Sequence, residues 1–308
     1  MGYNVVTKSK QGMTRLTKIN KEEAHDMKKR ILCLMLCLTL VLSIGSYALA
    51  DSAAATDQVT TNEVTGPHFL VDGVAYADPG MAVYDGNTYV SMQTMVLALR
   101  PEAVITWEGE YAVATMDGLT VKARLGNQYI ESNGRYFYAP TKVRSENNRL
   151  LVPVRVMAEA MGAVVAWNAG TGDVEIYSGC GAVLSGENYY NSNDLYWLSH
   201  IINAESGNQP LEGKLAVGTV ILNRVASDRF PNSIEGVVTA PRQFTPYATG
   251  SIYREPNAES IIAAKLCMEG ARVGGNSLYF VNPNTAPNSW ASRNRPYVTT
   301  IGAHAFFA

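Results

Sequence analysis

From about residue 68 to 178 the apolar positions come in short alternating runs broken by turn residues, as in FLVDGVAY, MAVYDGNTYVS, AVITWEGEYAVATMDG, LTVKARLGNQYIE and GRYFYAPTKVRSENNRLLVPVR. Breaks of the Asp-Gly, Glu-Gly and Asn-Gly kind at 72, 85, 109, 117 and 133 fit hairpins, so this half is predicted to be mainly β. Past residue 193 the spacing changes. Leu195, Leu198, Ile201 and Ile202 recur at helical intervals, and the pattern predicts helices over about 193–204, 211–227 and 257–270. Leu215, Val217, Val220, Ile221, Leu222 and Val225 are the core candidates of the second helix. The remainder, rich in turn formers and aromatics, is expected to give short strands or loops.

The β half repeats itself. Residues 89–107 and 151–167 both run from a β-prone dipeptide through a short helix to a β-prone segment ending in Trp. Val90, Ser91, Met92 and Gln93 align with Val152, Pro153, Val154 and Arg155, and Trp107 aligns with Trp167. Two such units packed together would bury one shared core.

Ahead of both halves, Lys28, Lys29 and Arg30 precede the apolar run 31–42, which leads to Ala48-Leu49-Ala50. That is the layout of a secretory signal cleaved after Ala50, with an uncleaved anchor as the alternative. Residues 1–50 carry eight Lys or Arg and three Asp or Glu; without them 17 basic and 24 acidic side chains remain, a formal charge of −7. This balance, with no basic stripe, disfavours nucleic acid as a partner. Two cysteines, Cys180 and Cys267, survive processing, and the sequence leaves open whether they pair or stay as buried thiols. The remaining histidines, His68, His200 and His304, form no ligand-spaced cluster, so neither a metal nor another cofactor is expected.

The chemistry centres on Glu205, at the end of the first helix and just before the Gly-containing stretch SGNQP. A glycosidic oxygen is a poor leaving group and needs a proton as its bond to carbon breaks, which a carboxylic acid kept protonated by apolar neighbours supplies. Trp197 and Ile201 fall on or near the helical face of Glu205, and Tyr196 lies one residue further off. For an isolated Glu, a solvated helix end is the plainer reading; the surrounding motifs reverse it.

Two resemblances cover most of the chain. Residues 68–178, through FLVDG, TYVSMQ, ITWEG, APTKV, LLVPVRVMAEAMGAVVAWN and VEIYS, resemble the copper amine oxidase N-terminal-like, or stalk, domain. That implies a compact α+β accessory module and carries no copper or oxidase chemistry. Its Tyr129, Tyr136 and Tyr138 are open between contact with wall polymer and packing. Residues 194–307, through LSHIINAES, EGKLAVGTVILNRVASDRFPNSIEGVV, Gln243-Phe244, SLYFVNP and IGAHAFF, resemble the catalytic domain of the SleB-like cell-wall hydrolases, the spore cortex-lytic enzyme family. The resemblance implies a mostly helical lysozyme-like fold, cleavage between N-acetylmuramic acid and N-acetylglucosamine, and Glu205 as the catalytic acid.

The expected organisation is therefore leader and signal over 1–50, a flexible lead-in over 51–67, the stalk domain over 68–180, a linker over 181–193 and the catalytic domain over 194–308. Many members of the resembling family have a second Glu four residues after the acid, where this chain has Gln209. Glu212 and Glu187 are the neighbouring carboxylates, and either fits a plain surface charge. A lytic transglycosylase needs only one carboxylate, because the C6 hydroxyl of the muramic residue is the nucleophile; a hydrolytic muramidase would need a second. A non-catalytic glycan-binding protein is the remaining alternative.

Gln243, Phe244, Tyr279 and Phe280 are candidates for binding sugar, each with a local structural reading beside it. Asn223, Arg224 and His304 are read as structural or groove-lining. Peptidoglycan strands are the expected partner, in the wall or spore cortex of a Gram-positive bacterium. An accessory wall or spore protein is open as a second partner, and a membrane only if the signal is retained.

Overall fold

Two-residue turns set the hairpins of the N-terminal module. In the computed structural model, which describes residues 67–179 and 183–308, Asp72-Gly73, Asp85-Gly86, Asn133-Gly134 and Asn147-Asn148 all have positive φ at both positions. This is the primed-turn geometry whose twist matches the flanking strands. The expected leader, signal peptide, nearly all of the lead-in and Cys180 lie outside the described residues.

The turns join β1 (Phe69–Val71) to β2 (Val74–Tyr76) and β3 (Ala82–Tyr84) to β4 (Asn87–Ser91). Helix α1 (Met92–Leu99) follows β4 directly, capped by the Ser91 hydroxyl, which accepts from the Thr94 amide. A five-stranded meander then runs through β5 (Val104–Glu108), β6 (Tyr111–Met116), β7 (Leu119–Arg124), β8 (Tyr129–Ser132) and β9 (Arg135–Tyr138). After β10 (Arg144–Glu146) the repeat recurs as β11 (Arg149–Pro153), α2 (Val154–Ala160), β12 (Val164–Trp167) and β13 (Val174–Tyr177).

The two copies share the register read from the sequence. Their first strands pair antiparallel, Val90 opposite Val152, and each hands over to its helix at the aligned residue, Met92 or Val154. The second copy is closed by β1, which pairs parallel with β13. One core is buried between them, with Val90, Met95 and Val96 of one copy against Val152, Met157 and Ala160 of the other.

The C-terminal half is mainly helical. After the short α3 (Gly186–Tyr189) come α4 (Ser192–Ser206), α5 (Leu211–Val225), α6 (Ile234–Thr239) and α7 (Thr245–Thr249). A 3₁₀ turn (Ser251–Tyr253) leads to α8 (Ala258–Met268). Helices α4, α5 and α8 pack on one another through Leu198, Ile201, Ile202, Leu215, Val217, Ile221, Ala264 and Cys267. The approach is close. A Cβ added at Gly218 of α5 would stand 2.7 Å from the Cys267 sulfur and 2.9 Å from Ile202. The predicted short strands are β14 (Tyr279–Val281), β15 (Tyr297–Ile301) and β16 (His304–Phe307), in the order β14-β16-β15, with α9 (Trp290–Asn294) between the first two.

The modules are packed together through the β8–β9 hairpin. Tyr129, Tyr136 and Tyr138 lie against the helical core, which decides their role in favour of packing. Arg135 forks onto Glu269 with two 2.7 Å hydrogen bonds, and the Tyr190 hydroxyl donates to the same carboxylate at 2.8 Å. Lys265 of α8 donates to the Gly134 carbonyl at 3.2 Å.

Candidate active site

Helix α4 brings Glu205 to its position. Asn191 caps its start, the side-chain oxygen accepting from the amides of Asn193 (3.0 Å) and Asp194 (3.1 Å), and Asp194 complements the positive end. Ile201 and Ile202, one turn before Glu205, are fully buried, so Glu205 continues the inward-facing stripe at the last turn. Pro210 lies just outside α5, and the connection is only four residues long, from Gly207 to Pro210.

This connection is braced from three sides. Asn257 donates to the Gly207 carbonyl at 3.0 Å, and its own amide donates to the Asn203 side chain at 3.1 Å. The buried ammonium of Lys214 donates to the Gln209 carbonyl at 2.5 Å and pairs with Glu259. The Gln209 side-chain oxygen accepts from the Ala303 amide at 2.8 Å, tying the connection to the β15–β16 turn. Gln209 is thus occupied in holding the structure.

Burial pushes the Glu205 carboxyl above its ordinary pKa, and the nearby Arg224 guanidinium pulls it partly back. The negative end of the helix acts in the same direction as burial. Among the described residues the carboxyl accepts no hydrogen bond and forms no ion pair. It is a carboxyl group inclined to hold its proton, with no hydrogen-bond donor among the described residues.

Arg224 gathers the surroundings. It is 5% exposed, its Nε donates to the Leu278 carbonyl at 2.8 Å and its Nη1 to the Gln243 side chain at 3.3 Å. Its guanidinium lies over Phe230 (5.0 Å to the ring centre), Phe244 (5.1 Å) and Tyr279 (5.6 Å). Burial lowers its pKa to about 10, which leaves it charged at neutral pH. Neighbouring Asn223 donates to the carbonyls of Gly275 (3.0 Å) and Ser277 (2.9 Å). Together they pin the segment that enters β14.

The structure therefore brings Glu205, Arg224, Gln243, Phe244 and Tyr279 into one neighbourhood, with Asn223 behind it. Gln243 is exposed, Phe244 is buried beneath the guanidinium, and Tyr279 is half-buried. Phe280 points to the opposite face of its strand, against α5 and Phe306. His304 stacks edge-on to Phe280 at 5.2 Å, and burial lowers its pKa. Its Nδ1 is buried without a partner among the described residues. The carboxylates considered as a second acid are engaged or exposed elsewhere. Glu212 accepts from Gln128 of the N-terminal module at 2.8 Å, and Glu187 lies exposed on α3.

Two residues beside the site escaped the sequence reading. Trp290 of α9 meets Tyr279 at 5.5 Å, and the Arg295 guanidinium lies 5.3 Å from the Tyr279 ring and 4.9 Å from Trp290. The sequence signal that could have found them is the absence of any acid after Glu269.

The described chain is thus a β-rich module packed on a helical domain that holds a buried carboxyl at the end of a long helix. Residues 70–176 match the Copper amine oxidase N-terminal domain family, and residues 208–307, beginning just after Glu205, match the Cell Wall Hydrolase family. The chain thus carries a SleB-like domain preceded by a copper amine oxidase N-terminal-like domain. A spore cortex-lytic enzyme of Bacillus cereus is 41% identical over 119 residues, which is 39% of this chain and 46% of that protein. The spore cortex-lytic enzyme of Bacillus subtilis is 38% identical over 117 residues, 38% of each chain. The chain thus spans less than half the length of these relatives. The solved catalytic domain of the germination-specific lytic transglycosylase SleB from Bacillus anthracis is 40% identical; the match covers 39% of this chain and 98% of that one, with a TM-score of 0.37.

Proposed function

We propose that this protein is a lytic transglycosylase that cleaves peptidoglycan between N-acetylmuramic acid and N-acetylglucosamine. The observation that carries the reading is the Glu205 carboxyl, kept toward its protonated form by burial and free of hydrogen bonds to the described residues. Protonated Glu205 donates to the glycosidic oxygen as the bond to C1 of the muramic residue breaks. The resulting carboxylate then takes the proton from that residue's C6 hydroxyl, whose oxygen bonds to C1 and closes a 1,6-anhydro ring. Glu205 ends protonated again.

Arg224 supports the second half of this cycle. Burial disfavours the carboxylate that must form, and the guanidinium offsets part of that cost. Gln243, held by Arg224, and Tyr279 are placed to meet the sugars, whereas Phe244, Phe280, Asn223 and His304 hold the walls. No second carboxylate is needed, because the nucleophile belongs to the substrate and is already held in place.

Packed on the helical core through the β8–β9 hairpin, the first module acts as a fixed extension of the catalytic domain. The wall or spore cortex outside the membrane is the place of action, reached through the secretory signal expected within residues 1–50.

Mass spectrometry of soluble products from purified peptidoglycan and from spore cortex tests the activity. Fragments ending in anhydromuramic acid, one water lighter than reducing fragments, are expected. Reducing muramic ends would instead identify a hydrolase, and no product from either substrate would shift the reading to a glycan-binding protein or to an enzyme that needs an absent partner.

A further inference from the structure

The balance of charges breaks at the C-terminal end. From Gly270 to Ala308 the chain holds Arg272, Arg293 and Arg295 and no Asp or Glu, although its overall formal charge is −2. Arg272 donates to the carbonyls of Cys267 and Ala271. Arg295 has no such use. Among the described residues no carboxylate pairs with it, and its Nε is buried with no hydrogen-bond partner. The Tyr279 and Trp290 rings position the guanidinium.

Tyr279 is shared with the catalytic neighbourhood, since Arg224 lies 5.6 Å from the same ring. Arg224, Tyr279, Arg295 and Trp290 therefore form a run of guanidinium–ring contacts, ending at an indole that is 54% exposed. An open indole face suits the apolar face of a sugar, and an unpaired guanidinium beside it suits a carboxylate.

We propose that Arg295 and Trp290, on the Tyr279 ring that Arg224 also meets, form a subsite for a carboxylate-bearing sugar residue of the glycan strand, with Arg295 on the carboxylate and Trp290 against the sugar ring. This rests on the glycan-cleaving reading above and adds the feature that selects muramic acid over uncharged N-acetylglucosamine. The carboxylate is either the free lactyl group of muramic acid or one carried by its peptide stem; both present the same chemistry to the guanidinium.

The test is calorimetric binding to the full chain carrying Glu205→Gln, which stops turnover. Three oligosaccharides of equal length serve as probes: alternating N-acetylglucosamine and N-acetylmuramic acid with free lactyl groups, the same with peptide stems, and chitin oligomers. At least one muramic probe should bind about tenfold or more tightly than chitin, and the tighter of the two identifies the carboxylate. Adding Arg295→Gln should remove the preference, bringing the muramic and chitin affinities together. Arg295→Lys should keep part of the preference, and Trp290→Ala should weaken all three probes. Thermal unfolding of each variant separates these effects from loss of the fold. The proposal is overturned if the parent shows no preference or if Arg295→Gln keeps it. If the unsubstituted chain cleaves no glycan, the catalytic reading falls while the binding result stands; if it cleaves and Arg295→Gln keeps the preference, only the subsite falls.

Discussion

Arg135→Ala should strand a charge at the contact between the modules. The Arg135 and Glu269 side chains are 14% and 6% exposed, joined by two 2.7 Å hydrogen bonds, and the Arg135 guanidinium also lies 3.6 Å from the Tyr189 ring centre. Once Arg135 is removed, the Glu269 carboxylate stays buried with the Tyr190 hydroxyl as its remaining hydrogen-bond donor among the described residues. Breaking a buried pair on one side costs about 3–5 kcal/mol, and loss of the ring contact adds about 0.5–2 kcal/mol. Glu269→Ala should cost less, because the freed guanidinium can turn toward water. The double variant strands neither charge, so its loss should fall short of the sum of the single losses by about 1–3 kcal/mol. The assay is urea unfolding of the full chain, followed by tryptophan fluorescence and far-ultraviolet circular dichroism. A coupled pair of modules unfolds in one transition by both probes, and Arg135→Ala should separate the probes. Single losses that add without coupling, or an Arg135→Ala variant as stable as the parent, would refute the reasoning.

Two further outcomes follow from the site. Because the folded-state pKa of Glu205 lies above its unfolded value, the stability it contributes is present below the unfolded pKa and is lost as pH rises through the folded one. Glu205→Gln does not titrate, so its melting temperature should exceed the parent's at neutral pH, with the gap closing toward about pH 4; a constant gap in thermal scans across pH would contradict this. Gln209→Glu keeps an acceptor for the Ala303 amide and should fold and yield the same class of product. Gln209→Ala loses that bond and should lower stability by about 1–2 kcal/mol in denaturant unfolding.

Local features were legible in the sequence. The Asp-Gly and Asn-Gly turns came through because two residues determine the conformation, and the repeat came through because Val90-Ser91-Met92 and Val152-Pro153-Val154 carry matching strand-to-helix junctions. Helices over 193–204, 211–227 and 257–270 were found at Ser192–Ser206, Leu211–Val225 and Ala258–Met268. What stayed hidden depends on contacts distant in sequence. Arg135 meets Glu269 across 134 residues, and nothing in either segment encodes the other. Gln209 reads as a loop residue, yet it fastens a turn 94 residues away. Arg224 offered a partial clue: it follows the buried Val220 and Ile221 by four and three positions, so a charged side chain falls on the inward face of α5. Trp290 and Arg295 gave no periodic signal, because α9 is only five residues long.

The central claim is that Glu205 supplies the proton for glycan cleavage. Its most direct test is the rate of peptidoglycan cleavage by the full chain and by Glu205→Gln at one pH, with Glu212→Gln as a matched control. The account predicts that Glu205→Gln lowers the rate by about a hundredfold to ten-thousandfold without unfolding, while Glu212→Gln stays within about tenfold of the parent. A folded Glu205→Gln protein that cleaves within about tenfold of the parent would contradict it.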